Sequence, residues 1–269
     1  MGLDLYLNGV ALVVGAGSGM GRATALAFAE AGVRGLVFAD IRDKAAAEVA
    51  EEAKALASNS QFETFVIQVD MGDEESVKNL MQKSVERFGR VDYCANIAGS
   101  FGRERKPSGW RFQQTNINGV FFLVKEQIKT MEKQERLVTP LTSEARPAER
   151  GSIVVLSSAA AVIAVPEGGA YTHTKFATNG LTKAAAQDHG KNGIRINAVL
   201  PGYIFTPGLA AFPGATPETA QRILDNNALH RFGEPREIGD MVAMLSSPRN
   251  SYMIGASILI DGGQTITAE

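Results

Sequence analysis

Residues 10–32 read VALVVGAGSGMGRATALAFAEAG. Val10–Val14 is a short apolar run of the kind that forms a fully buried parallel strand. Gly15–Gly21 follows it, and the next residues, with helical apolar spacing and a closing Gly32, predict a capped helix. A glycine-rich turn between a strand and a helix lets backbone N–H groups and the positive helix end approach a pyrophosphate. The next apolar run, LVFAD, closes on Asp40, about 20 residues beyond the turn, where a carboxylate can accept hydrogen bonds from ribose hydroxyls. A carboxylate there would repel a 2′-phosphate, so NAD(H) is expected over NADP(H), although Arg34 and Arg42 lie nearby in the sequence. The competing reading of Asp40 is a cap for the helix that follows.

The same alternation runs outward along the chain. Apolar runs ending at Asp70, Gly99 and Leu156, a run beginning at Ile194, and ASILIDGG (256–263) alternate with helical patterns over 44–57, 73–88, 113–133 and 169–188. Strands alternating with helices imply a parallel sheet with right-handed crossovers. The expectation is therefore one α/β domain over residues 1–269, a Rossmann-type doubly wound parallel sheet of about seven strands with helices on both faces. Residues 134–150, with two prolines, many charges and no period, read as a solvent-exposed loop. Residues from about 206 to 232 mix apolar and turn residues and are expected to form a substrate lid.

Composition narrows the function classes. With 27 basic and 29 acidic residues the net charge is −2 and no basic run stands out, which argues against nucleic acid as the partner. A single cysteine, Cys94, and no Asn-x-Ser/Thr sequon point to a reducing interior. No apolar run reaches membrane-spanning length, so a soluble cytoplasmic protein is expected. Cys94 lies inside an apolar run and reads as a core filler.

Chemistry concentrates in Ser157–Lys175, SSAAAVIAVPEGGAYTHTK. On a helix, Tyr171 and Lys175 share a face, where an ammonium can lower the phenol's pKa from its usual value of about 10. Ser158 stands at the end of the SIVVL run, where a strand tip can aim a hydroxyl into a cleft. Taken alone, Tyr-x-x-x-Lys is better explained by an exposed i,i+4 contact worth about 0.2–0.5 kcal/mol, and the rest of the chain is what shifts the balance. Asn116 is an odd choice for a helix interior, and its amide suits a kink or an ordered water.

In combination these segments resemble the short-chain dehydrogenase/reductase family over most of the chain, from about Leu7 to Gly263. The family's TGxxxGxG motif is matched by Val14 to Gly21, its adenine-side Asp by Asp70, and its NNAG turn by Asn96-Ile97-Ala98-Gly99. Its catalytic Asn, Ser, Tyr and Lys are matched by Asn116, Ser158, Tyr171 and Lys175, and its Pro-Gly turn and nicotinamide side by Pro201, Gly202, Ile204 and Thr206. The resemblance implies a nicotinamide cofactor held by Gly15, Ser18, Gly19, Met20, Gly21, Asp40, Ile41, Asp70, Met71, Asn96, Ala98, Gly99, Tyr171, Lys175, Pro201, Gly202, Ile204 and Thr206, with no metal. It implies that Tyr171 exchanges the substrate proton, Ser158 bonds the substrate oxygen, Lys175 lowers the Tyr171 pKa and binds the nicotinamide ribose, and Asn116 holds a water linking Lys175 to solvent. It also implies a homotetramer or homodimer built on helices 116–133 and 172–188.

The sequence departs from the family at Val14 for Thr, which removes a hydroxyl that supports the glycine turn, at Ile97 for Asn, and at His173-Thr174 for Ala-Ser. The 134–150 stretch looks like an insertion similar to those of fungal biosynthetic members, which points to secondary metabolism. Ala164, Val165, Pro166, Leu209, Ala211 and Phe212 are expected to line an apolar pocket for a lipophilic alcohol or ketone, cyclic or terpenoid for example; ordinary lid packing explains them equally well. Alcohol oxidation with NAD is the favoured activity. The rivals are a ketoreductase working in the opposite direction and a non-redox descendant that keeps the cofactor site.

Overall fold

The computed structural model describes residues 4–101, 112–165, 168–211 and 216–267. Its seven parallel strands are β1 (Val10–Val14), β2 (Gly35–Asp40), β3 (Glu63–Gln68), β4 (Tyr93–Asn96), β5 (Gly151–Leu156), β6 (Ile194–Pro201) and β7 (Ser257–Ile260). They lie side by side in the order β3-β2-β1-β4-β5-β6-β7. The order reverses direction between β1 and β4, and in such sheets ligands bind outside the carboxyl ends of the strands at that switch point.

Helices α1 (Gly19–Glu30), α2 (Asp43–Leu56), α3 (Glu74–Phe88), α4 (Val120–Met131) and α5 (Gly169–His189) fall where the apolar spacing predicts them. Short helices α6 (Pro207–Ala210) and α7 (Pro217–Asp225) occupy the lid stretch, and α8 (Pro235–Ser246) and α9 (Gln264–Thr267) flank β7. Two cores form, one on each face of the sheet. Phe28, Phe38, Leu36 and Ile238 pack α1 and α8 on one face, and Leu80, Leu123, Met131 and Ile153 pack α3 and α4 on the other. The five residues of β1 are all buried, as its unbroken apolar run requires.

Three departures from the sequence expectations have local causes. The helix expected from 113 to 133 begins as a π-helix, Gln113–Gly119, before α4 takes over, so the irregularity at Asn116 is built into the backbone. Helix α8 was not anticipated, yet it carries a capping box between Glu234 and Glu237 with Pro235 in its first turn. Gly239 lets it approach α1 so closely that an added Cβ would lie 2.6 Å from the Ala23 carbonyl oxygen. Finally, the 134–150 stretch is exposed at its tip, Ser143–Ala145, but closed at its base. Leu137 N donates to Glu149 O at 2.7 Å, Arg136 Nη1 donates to Ala148 O at 2.7 Å, and Arg195 Nε donates to both Glu149 carboxylate oxygens at 2.9 Å.

Candidate active site

The glycine turn is shaped by close backbone approach. Gly15 has φ +90°, and a Cβ at Gly21 would collide with the Gly15 carbonyl oxygen, so only glycine fits there. The hydroxyl missing at Val14 is replaced by other contacts: Gly15 N and Ala16 N donate to Ala39 O at 2.7 and 3.1 Å, and Gly17 N donates to Asp40 Oδ2 at 2.9 Å. Asp40 also accepts from Arg42 N at 2.9 Å. It is not the N-cap of α2, a place taken by Arg42. The Arg42 guanidinium reaches back to the turn and donates to Ser18 Oγ at 2.9 Å. Met20, partly buried, packs against the core behind the turn.

Around this turn the remaining expected cofactor residues gather at the carboxyl ends of the strands. Ile41, 60 % exposed, stands beside Asp40. Asp70 lies in the turn after β3, exposed, with Oδ1 accepting from Gly72 N at 2.9 Å. Met71 is 5 % exposed and packs against Gly119 through both its carbonyl oxygen and its side chain. The Asn96 side chain is likewise turned inward: Nδ2 donates to Gln127 Oε1 at 2.9 Å and Oδ1 accepts from Gln127 Nε2 at 2.7 Å. Ala98 N donates to Val14 O at 2.8 Å and ties the turn after β4 to β1. Gly99 is exposed beside it. Pro201 ends β6, Gly202 N donates to Ile260 O at 3.0 Å, and buried Ile204 bridges to Gly233. Thr206 caps α6 and approaches Gly19, where an added Cβ would lie 3.3 Å from its methyl.

The catalytic candidates come together beside β5. Ser158 follows the strand, and its Oγ accepts from Ala160 N at 3.1 Å. It also hydrogen-bonds the Tyr171 side chain. Lys175, one turn further along α5, is 5 % exposed; its Nζ donates to Leu156 O at 3.2 Å and sits 5.6 Å from the Tyr171 ring centroid. Phe112 meets the other side of that ring edge-on at 6.2 Å. Asn116, 1 % exposed, contacts α5 from its π-turn through Thr174.

Burial shifts both ionisable groups of this cluster. Burial pushes the Tyr171 phenol above its usual range, the Ser158 hydrogen bond pulls it down, and Tyr203 pushes it up. Burial also brings the Lys175 pKa down to about 8. Cys94, fully buried, has its thiol pushed well up by burial and then by Asp92, and it is inert core.

Of the expected pocket lining, Ala164 and Ala211 are exposed and Val165 and Leu209 half-buried, while Pro166 and Phe212 lie outside the described residues. Among the described residues no cluster of His, Cys, Asp and Glu could hold a metal, and no helix is long and apolar enough to cross a membrane. Sequence reading passed over Gln127 as the partner of Asn96 and Tyr203 as a neighbour of Tyr171; neither carries a local signal, since each pairing joins distant segments.

Comparison with known proteins agrees with this geometry. A family model described as enoyl-(acyl carrier protein) reductase matches residues 15–265. A short-chain dehydrogenase of Penicillium roqueforti is 37 % identical, with 99 % of each chain covered. A cyclohexanol dehydrogenase of Acinetobacter sp. is 33 % identical over 97 % of this chain and 96 % of its own. Among solved structures, a 7α-hydroxysteroid dehydrogenase complexed with NADH and 7-oxo glycochenodeoxycholic acid superposes with a TM-score of 0.84 at 29 % identity, covering 97 % of this chain and 96 % of that one.

Proposed function

The chain belongs to the short-chain dehydrogenase/reductase family, and from that premise we propose that it oxidises a secondary alcohol of a lipophilic small molecule to a ketone, using NAD. The observation that carries this reading is the meeting of Ser158, Tyr171 and Lys175 beside β5, on the same side of the sheet as the glycine turn and Asp40. The cradle fits a dinucleotide: glycines packed against Ala98, Asp40 and the Gly15 carbonyl keep the turn tight, and the Asp40 oxygens each accept one backbone N–H and keep lone pairs for ribose hydroxyls. Exposed Ile41 offers an apolar face for an adenine.

In this mechanism the nicotinamide cofactor supplies the hydride acceptor. Tyr171 takes the substrate hydroxyl proton, and Ser158 holds the substrate oxygen while its charge changes. Lys175, with its single carbonyl acceptor, keeps donors free for a cofactor ribose. Burial and Tyr203 hold the Tyr171 phenol above its usual range while the Ser158 hydrogen bond pulls it down, and the Lys175 ammonium beside the ring favours its ionised form.

The cyclohexanol and steroid relatives support a lipophilic cyclic substrate, and the 134–150 insertion a place in secondary metabolism. Residues 206–232 act as the lid over that substrate, and the 134–150 insertion decorates the opposite end of the same single domain. Exposed Phe121 on α4 and Phe176 on α5 suit helix pairing between copies in a homotetramer or homodimer. A second reading, ketone reduction with NADP(H), is favoured by the exposed Arg42 guanidinium beside Ser18 and Asp40.

The test is a panel of lipophilic secondary alcohols and their ketones, assayed in both directions with both cofactors. Oxidation with NAD supports the first reading, and faster reduction with NADPH the second. Tyr171→Phe should lower kcat by about 10²–10⁴-fold while cofactor binding, measured by calorimetry, persists. Full activity in that variant sinks the mechanism.

A further inference from the structure

Helix α5 buries three threonines spaced one turn apart: Thr174, Thr178 and Thr182, at 0, 2 and 0 % exposure. Threonine is a mediocre helix former, so such a stripe inside a helix calls for a reason. All three hydroxyls bond back to their own helix: Thr174 Oγ1 to Tyr171 O at 2.8 Å, Thr178 Oγ1 to Thr174 O at 2.9 Å, and Thr182 Oγ1 to Thr178 O at 3.0 Å. Only the first two also reach outside it, and both reach the same residue. Thr174 Oγ1 accepts from Asn116 Nδ2 at 3.2 Å, and the single proton of Thr178 Oγ1 is shared between Thr174 O and Asn116 O, the latter at 3.0 Å.

Asn116 is meanwhile paired with the segment that follows β4. Its Oδ1 accepts from Ser100 N at 2.8 Å and its Nδ2 donates to Ser100 O at 2.8 Å. That exchange is complete in itself and would allow Asn116 and Ser100 to shift as a unit. The two threonines tie the unit to the helix. A hydroxyl has one proton, and Thr174 gives its proton to Tyr171 O, so the Thr174 oxygen can only accept. It therefore selects the NH₂ end of the Asn116 amide and leaves the oxygen end towards Ser100 and Gly99. A methyl built on Gly99 would lie 3.3 Å from Asn116 Oδ1 and 3.6 Å from Lys175 Nζ, so the acceptor end of the amide is held on the side of the buried ammonium. The π-turn contributes as well, because it displaces the regular backbone pairing where the Asn116 carbonyl meets the Thr178 hydroxyl.

We propose that Thr174 and Thr178 are positioning residues of the reaction, which lock Asn116, and through it the Ser100 segment, onto the helix that carries Tyr171 and Lys175. This rests on the dehydrogenase reading above. Thr182 supplies the control, since it has the same residue type, burial and backbone bond on the same helix but no contact with Asn116.

Valine at each position removes the hydroxyl and keeps the branched shape. Thr174→Val and Thr178→Val should each lower kcat about tenfold, the effect of one hydrogen bond, with KM nearly constant. Thr182→Val should match their loss in Tm and keep the parent kcat, and Thr174→Ser should restore kcat. Amide hydrogen exchange at Ser100, followed by NMR, reads the lock without any substrate: it should accelerate in Thr174→Val and Thr178→Val and stay slow in Thr182→Val. Unchanged Ser100 exchange in the first two variants overturns the proposal, as does a kcat loss in Thr182→Val equal to theirs. Faster Ser100 exchange in a protein that oxidises none of the alcohols would uphold the lock and overturn the dehydrogenase reading instead.

Discussion

Two buried cations stand at opposite ends of the central strands and are treated in opposite ways. At the amino end of β6, Arg195 is 4 % exposed and saturated: it donates to both Glu149 oxygens and to the carbonyls of Leu245, Ser246, Ser247 and Met253. At the carboxyl end of β5, Lys175 is as deeply buried and, among the described residues, has one acceptor, Leu156 O. A planar guanidinium with five donors suits a site where every direction offers an oxygen, whereas an ammonium left short of partners shifts its pKa. The contrast separates structure from chemistry. Full satisfaction makes Arg195 a clasp between β6, the 134–150 insertion and the end of α8, and incomplete satisfaction leaves Lys175 with bonding capacity for a ligand.

Arg195→Met tests the first half most severely. It strands the Glu149 carboxyl, which burial already pushes above its usual range against the pull of Arg195. The expected cost is about 3–5 kcal/mol, because removing one partner of a buried pair leaves the other uncompensated. Tm, followed by calorimetry, should drop by on the order of 10 °C, and adding Glu149→Leu should recover much of it. A variant as stable as the parent would break the comparison.

Lys175→Met tests the second half, and its signature lies in pH. The folded-state pKa of Lys175 is lowered to about 8 from 10.5, so between those values the unfolded chain binds more protons than the folded one. Stability should therefore rise with pH across that window, by up to about 3 kcal/mol at 1.36 kcal/mol per unit. Denaturant titrations at pH 7.5 and 10.5 should show that rise in the parent protein and lose it in Lys175→Met, which should also lose turnover. An equal rise in both would refute the undersatisfied lysine.

Asp40 lies between the two extremes, with one backbone N–H on each oxygen and room for more. Asp40→Ala should narrow the preference for NAD over NADP by about tenfold, the size of one hydrogen bond to a charged group. Dissociation constants for both cofactors measure this directly, and an unchanged ratio would remove Asp40 as the discriminator and shift attention to Arg42.

How much of this was legible in advance depended on distance along the chain. The glycine turn, the buried strands and the Tyr171–Lys175 spacing are local patterns, and each lies where its residues predict. Helix α8 was legible but missed: Glu234, Pro235 and Glu237 form a start signal ahead of Ile238, Val242 and Leu245. Other features were not legible. Nothing near Asn96 announces Gln127, and nothing near Thr174 announces Asn116. The burial that shifts both Tyr171 and Lys175 was hidden for the same reason, because spacing brings two side chains onto one face but says nothing of how deeply both are buried.

The sequence by itself determined the alternation of strands and helices, the place of the glycine turn and the choice of candidate catalytic side chains, because period, turn chemistry and residue type act within a few residues. Tertiary structure alone decided which polar groups are satisfied. The carbonyls around Arg195 come from segments some fifty residues away, whereas among the described residues the fold brings Lys175 one acceptor. Desolvation and hydrogen-bond partners are properties of a place in the folded molecule, and only the packed sheet and helices define that place.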